Sequence, residues 1–317
     1  MLKKIISVRG RYRISSTSKI FLLLLFLHIV ICSYIVLIKM TEGYDKDHGY
    51  SNNKPKYNFI VITKSPIERA ENRKFLRDES WLSYNWKDDA GNEISWVHFF
   101  LVGLNPSFSR SIIQDENETH KDILLAPTLD VYLGQIYKVM WAQQYLLENY
   151  TFNFLVILDE DSILNVNGVN SYLNDLVTDE NNVMFYGGSG CIQWPVDRHG
   201  KWKVSEEMWR PEVYPIFCDG SGVIYSSETV RELLTVWDEN AQPAVGIDDQ
   251  MIGILIFFSG KIPITTIANA TLGCEGGRSD TFLIQQVQPL EEGAQMMQRY
   301  NNTGVYCNED VPRHKQY

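Results

Sequence analysis

Asn153-Phe154-Leu155-Val156-Ile157-Leu158-Asp159-Glu160-Asp161 is the stretch on which the fold turns. The run from Phe154 to Leu158 has no polar face, so it reads as a strand buried on both sides, in the middle of a mostly parallel sheet. Three successive carboxylates at the carboxyl end of such a strand repel one another and are costly to desolvate unless a cation neutralises them. Strand carboxyl ends are also where open α/β sheets bind ligands. Strand alternation sends Asp159 and Asp161 to one face and Glu160 to the other. The first and third carboxylates can then share one ion, and a nucleotide diphosphate can complete its shell. An all-oxygen donor set suits Mg²⁺, Mn²⁺ or Ca²⁺ rather than Zn²⁺. A plain acidic turn closing the strand is the other reading, and this stretch alone leaves both open.

On either side, strands and helices alternate. Phe59–Thr63 reads as a first strand and 68–82 as a helix that sets Arg73 and Arg77 one turn apart on the same face. Val97–Val102 is a second buried strand, and Asp122–Leu125 leads into a long helix from about Val131 to Asn149. After the acidic stretch come a helix over 168–179 and a strand over 183–187. This order argues for an α/β sheet flanked by helices. From Lys201 to Tyr225 aromatics and glycines dominate, and Asp219-Gly220-Ser221-Gly222 lets the backbone approach another group closely. Helices follow over 227–237 and 248–258, the second opened by Asp248-Asp249, where the N-terminal dipole favours carboxylates whether they cap the helix or do chemistry. Beyond Ala270 no pattern is strong enough to assign.

The chain has 317 residues and a net charge of −10, unevenly spread. Residues 1–40 hold seven Lys/Arg and no acid, so the rest carries 22 basic against 39 acidic residues. A body this acidic excludes a nucleic-acid partner, which needs basic patches. Ile20–Ile38 is uncharged across 19 residues, the length of a bilayer span, with its cationic flank before it. The expectation is a cytosolic tail over 1–19, a transmembrane signal anchor over 20–38, a stem over 39–56 and a lumenal catalytic domain over 57–317. Asn117, Asn149, Asn269 and Asn301 open glycosylation sequons, consistent with a secretory compartment. Cys191, Cys218, Cys274 and Cys307 allow two disulfides in three connectivities, and their spacing does not suit a structural zinc.

Five blocks in order resemble the β-1,3-galactosyltransferase family of β-1,3-glycosyltransferases. Arg73-Lys74-Phe75-Leu76-Arg77 with Glu79-Ser80-Trp81 looks like its R-x-x-I-R-x-T-W block. Asp130-x-Tyr132 with Lys138 matches D-x-Y-(x)5-K, and Asp159-Glu160-Asp161 falls on the D-D-D metal motif. Lys201-Trp202 through Tyr214-Pro215, Cys218, Gly220 and Gly222 looks like K-W…Y-P…C-x-G-x-G. Asp248-Asp249 with Gly253 resembles E-D-V-x-x-G, with Asp for Glu and Gln250 for Val. The resemblance implies a GT-A-type nucleotide-sugar-binding fold and a type II protein of the Golgi membrane. It implies inverting, Mn²⁺-assisted transfer of a hexose, galactose first, from a UDP-sugar to a glycan on a glycoprotein or glycolipid. N-acetylglucosamine transfer and a non-catalytic relative that binds glycoproteins are the alternatives. By the same resemblance Asp159 and Asp161 hold the metal and Asp249 is the general base. Arg73, Arg77, Lys138 and Glu160 face the nucleotide-sugar, and Asp248, Trp202, Gly220 and Gly222 face the acceptor, with Trp209 and Tyr214 as further candidates for a stacking wall. The family histidine near the C-terminus appears here as Gln285.

Overall fold

The computed structural model describes residues 54–177, 184–240, 245–272, 281–288 and 290–306. The expected anchor at Ile20–Ile38, its flanking tail and most of the stem lie outside them, as do Cys274 and Cys307. Among the described residues no helix is long and apolar enough to cross a membrane.

The strands follow the apolar runs. Strand β1 (Lys56–Lys64) leads to helix α1 (Ala70–Glu79), β2 (Trp96–Leu104) to α2 (Arg110–His120), and β3 (Ile123–Leu129) to α3 (Gln135–Asn149). Then come β4 (Thr151–Asp159), the short β5 (Ile163–Leu164), α4 (Val166–Val177), β6 (Tyr186–Gly188) and β7 (Gly222–Ser226). Helices α5 (Ser227–Asn240) and α6 (Asp248–Ser259), strands β8 (Ile264–Thr266), β9 (Ala270–Leu272) and β10 (Leu283–Gln285), and helix α7 (Leu290–Thr303) complete the order. Two differences from the sequence expectation have local causes. Asp122–Leu125 opens a strand rather than a helix approach, because Phe100 to Val102 of β2 pair with Ile123 to Leu125 in parallel. Helix α2, polar on most positions and presenting Ile113 to the core, carries too faint a periodicity to announce itself.

Seven strands form one sheet in the order β3-β2-β1-β4-β7-β6-β8. β4 sits in the middle, parallel to β1 and antiparallel to β7. Alternation along the two central strands feeds two cores. Ile60, Ile62, Leu155 and Ile157 face α3, α5 and α6, whereas Phe59, Val61, Val156 and Leu158 face α1, α2, α4 and α7. Leu155 and Val156 are fully buried on opposite faces, which is why the run tolerates no polar residue. Trimming Leu155 to alanine would cost about 2–5 kcal/mol. A three-stranded sheet, β5-β10-β9, packs its apolar residues into the second core and carries the chain back beside the acidic turn.

Among the cysteines, Cys191 and Cys218 are bonded to each other and close the excursion between β6 and β7. Of the sequon asparagines, Asn301 is exposed on α7. Asn117 and Asn149 are half-buried and hydrogen-bonded, accepting from the Ile123 amide and donating to the Tyr145 carbonyl respectively.

Candidate functional site

The parallel register puts Lys64, last residue of β1, directly opposite Asp159, last residue of β4. A cavity of about 640 Å³ opens over these two strand ends. Lys64 is 6% exposed, and its ammonium reaches Asp159 at 3.0 Å, Asp248 at 2.8 Å and the Gly220 carbonyl at 2.9 Å. All three ammonium hydrogens therefore have acceptors. Burial works against the charge, but the two carboxylates outweigh it and raise the lysine pKa above its ordinary value. One side chain thus ties the sheet's acidic end to the first turn of α6. Sequence reasoning missed Lys64: a lysine closing an apolar strand looks like a solvated end, and no local pattern links residue 64 to 159 and 248.

Asp248 and Asp249 open α6, where the helix dipole supports negative charge. Asp248 is held by Lys64, whereas Asp249 takes the Gln250 amide at 2.7 Å on one oxygen. Burial and the neighbouring Asp248 charge push the Asp249 carboxyl up to about 7, with Lys64 pulling the other way. That value suits a general base at neutral pH. Gly220 makes room for it: a Cβ there would stand 3.0 Å from the Asp249 Cβ.

The acidic stretch spreads over the cavity's wall. Asp159 is 41% exposed beside Lys64. Glu160 is buried, with both oxygens engaged by Ser65 (2.5 Å), Arg69 (2.9 Å) and Asn72 (3.1 Å). Asp161 takes Gln288 Nε2 on one oxygen at 2.8 Å, and its other oxygen is buried with no hydrogen-bond partner. A buried, unsatisfied carboxylate oxygen is costly unless something neutralises it. With Asp159 it forms an all-oxygen donor pair fitting a hard divalent cation whose remaining positions a ligand's oxygens fill. Among the described residues no cluster of three His, Cys, Asp or Glu completes such a site from the protein alone. Gln285 does not face it: this residue is fully buried, donating to the Gly222 carbonyl and bonded to Ser189.

Several of the expected side chains are committed within the protein. Arg73 is 1% exposed and all five of its donors are committed, to Glu116, Ser65 and the Pro66 and Ile67 carbonyls. Arg77 grips Asp122 and Glu116 and stacks over Phe100. Both fasten α1 to α2, Arg73 also to the turn after β1 and Arg77 to Asp122 just before β3, and neither lines the cavity. Lys138 reaches the cavity's base but is 2.7 Å from Asp130, an ion pair that clips the start of α3 to the end of β3. Gly222 lies within β7, where a Cβ would strike Gln285 and Leu283. Trp209 and Tyr214 stack on each other at the excursion's base, away from the cavity.

Trp202 does not line the cavity but donates at 2.6 Å to the hydroxyl of Tyr132, which does. Tyr132, 39% exposed, is presented by the Asp130–Lys138 clip. Burial raises its phenol above the ordinary value, and the Asp249 and Asp248 charges add to this against the Trp202 bond.

The Galactosyltransferase family model matches residues 71–265, more than half of the chain. Hydroxyproline O-galactosyltransferase GALT6 of Arabidopsis thaliana is 25% identical over 233 residues, covering 73% of this chain and 33% of that protein. Human beta-1,3-galactosyltransferase 5 is 26% identical over 210 residues, covering 64% of this chain and 63% of that protein. Mouse UDP-GalNAc:beta-1,3-N-acetylgalactosaminyltransferase 2 is 28% identical over 120 residues, 38% of this chain and 23% of that protein. The chain thus matches between 23% and 63% of these relatives' length. Mouse xyloside xylosyltransferase 1 in its apo form superposes with a TM-score of 0.39 at 9% identity, over 73% of this chain and 97% of that one, too distant a likeness to carry an argument. The matched span runs from α1 to β8 and takes in the acidic turn, the aromatic excursion and the α6 carboxylates; the chain belongs to the galactosyltransferase family.

Proposed function

We propose that this protein is an inverting β-1,3-glycosyltransferase that moves a hexose, galactose, from a UDP-sugar to an acceptor hydroxyl on a glycan. What carries the reading is the Lys64 bridge, which joins Asp159 on the cavity wall, at 3.0 Å, to Asp248 at 2.8 Å, the neighbour of Asp249 in the first turn of α6. Transfer needs a leaving diphosphate held at one end and a base at the other, and the two carboxylate groups divide in that way. Asp159 and Asp161 would hold a divalent cation, Mn²⁺ by family resemblance, which when bound supplies Lewis-acid neutralisation of the diphosphate.

Asp249, with a carboxyl poised near 7 and one oxygen free of the backbone, takes the proton from the attacking hydroxyl. Asp248, its charge fixed by Lys64, orients that acceptor. The hydroxyl attacks the anomeric carbon from the face opposite the departing UDP, which inverts it. The cationic flank before Ile20–Ile38 and the four sequons support a single-pass type II protein of the Golgi membrane with its catalytic body in the lumen. The curated relatives named for galactose transfer favour that donor over N-acetylglucosamine.

Two variants of the purified full chain test these roles. Asp249→Asn abolishes transfer while UDP affinity stays within about twofold, because only the proton acceptor is lost. Asp161→Ala removes Mn²⁺-dependent UDP binding. Loss of UDP binding in the first, or undiminished binding in the second, reassigns the residue.

A further inference from the structure

The cations lining the cavity are Lys64, Arg69, Lys138 and Lys201. Three are already neutralised within the protein: Lys64 by Asp159 and Asp248, Arg69 by Glu160 and Lys138 by Asp130. Among the described residues Lys201 has no carboxylate partner. Its ammonium lies 4.7 Å from the centre of the Tyr132 ring and 5.5 Å from that of Trp202, held at the mouth by two aromatic faces. Cation–π contacts place a charge at modest cost and leave its hydrogens free for a ligand.

The mount beneath it is rigid. Lys201 follows Gly200, whose φ of +79° lets the chain turn sharply, and the turn closes through the Val204 amide on the Asp197 carbonyl at 2.8 Å. Arg198 fastens the turn's base to four backbone carbonyls, those of Val204, Trp209, Arg210 and Pro211, at 2.9 to 3.2 Å. The Trp202–Tyr132 bond fixes the shelf itself. A pre-set, uncommitted cation at the mouth of a cavity whose other cations are spoken for is built to receive an anion.

We propose that Lys201 is a catalytic residue that binds the diphosphate of the donor and stabilises it as it leaves. This rests on the glycosyl-transfer reading above. In the reaction the bond from the anomeric carbon to the β-phosphate oxygen breaks and its electron pair stays on UDP. The acceptor oxygen forms the new bond and its proton passes to Asp249. Charge therefore accumulates on the β-phosphate in the transition state, and an ammonium donating to that oxygen strengthens as the bond breaks. No proton leaves Lys201. The ligand class is a nucleoside diphosphate, as opposed to a monophosphate.

Calorimetry with UDP, UMP and uridine in Mn²⁺ tests this on the purified full chain, Lys201→Met and Lys201→Arg. Lys201→Met should weaken UDP about tenfold, the worth of one charge-assisted hydrogen bond, and leave UMP and uridine within about twofold. Lys201→Arg should recover UDP affinity to within about threefold, since a guanidinium also stacks on aromatic rings and binds phosphate. With UDP-sugar turnover, kcat should fall more in Lys201→Met than UDP affinity does. Equal UDP affinity in Lys201→Met and the unaltered chain overturns the proposal, as does an equal loss for UDP, UMP and uridine. An unaltered chain that binds no UDP overturns the functional reading itself, a result distinct from either.

Discussion

Replacing Lys64 with methionine removes one ammonium at nearly constant volume and leaves three acceptors facing one another. Asp248, 13% exposed and 2.8 Å away, becomes a largely buried charge without its partner. Breaking a buried pair from one side costs about 3–5 kcal/mol. Asp159 is 41% exposed, so solvent screens it and its pairing adds less than about 1 kcal/mol. The expected loss is about 3–4 kcal/mol. The lysine pKa is raised by folding, so its stabilisation is fully present below about pH 10 and fades only as pH rises through the folded value. At pH 7.5 the whole loss is visible. Urea titration reads it as a lower midpoint at unchanged slope, and for a domain of this size the melting temperature falls by about 6 °C or more. A double-mutant cycle with Asp248→Asn isolates the pair, and the double variant should be less damaged than the two single losses added, by at least about 1 kcal/mol. A single loss below about 1 kcal/mol, or strictly additive losses, refutes the bridge.

Three more expectations follow from the geometry. For the Asp249 base, kcat/KM rises about tenfold per pH unit up to about 7 and levels above it, where the carboxylate is free to take a proton; a flat profile from pH 5 to 8 contradicts this. Gly220→Ala places a methyl 3.0 Å from the Asp249 Cβ, displaces the carboxylate and lowers kcat by about 10–100-fold while UDP affinity stays within twofold; unchanged turnover would mean that Asp249 does not act from this position. Arg73→Met leaves Glu116 to Arg77 alone, strips the Pro66 and Ile67 carbonyls of their donor, and costs about 3 kcal/mol in urea titration without changing UDP affinity; tenfold weaker UDP at unchanged stability would return Arg73 to the nucleotide site.

The sheet was legible because its central strands must be apolar on both faces. Phe59–Thr63 and Phe154–Leu158 have no second explanation, and the carboxylates at the end of β4 fall at the strand ends where the cavity opens. Asp248 and Asp249 were legible as a helix opening for the same local reason. What stayed hidden depends on distant partners. Arg73 and Arg77 share a helix face in the sequence, but Glu116 and Asp122, which claim them, arrive some 40 residues later, on α2 and just before β3. Lys64 meets residues 95 and 184 positions away, and nothing in β1 signals either. The strand after Ala270 is three residues long and pairs with β5 and β9, too short for any period to register.

The most direct test incubates the purified full chain with UDP-galactose, UDP-N-acetylglucosamine and UDP-N-acetylgalactosamine, with Mn²⁺ and with chelator, and measures UDP release. The predicted result is chelator-sensitive turnover of UDP-galactose that Asp161→Ala abolishes. Turnover of no donor, with UDP binding also absent by calorimetry, would contradict the assignment of this cavity to glycosyl transfer.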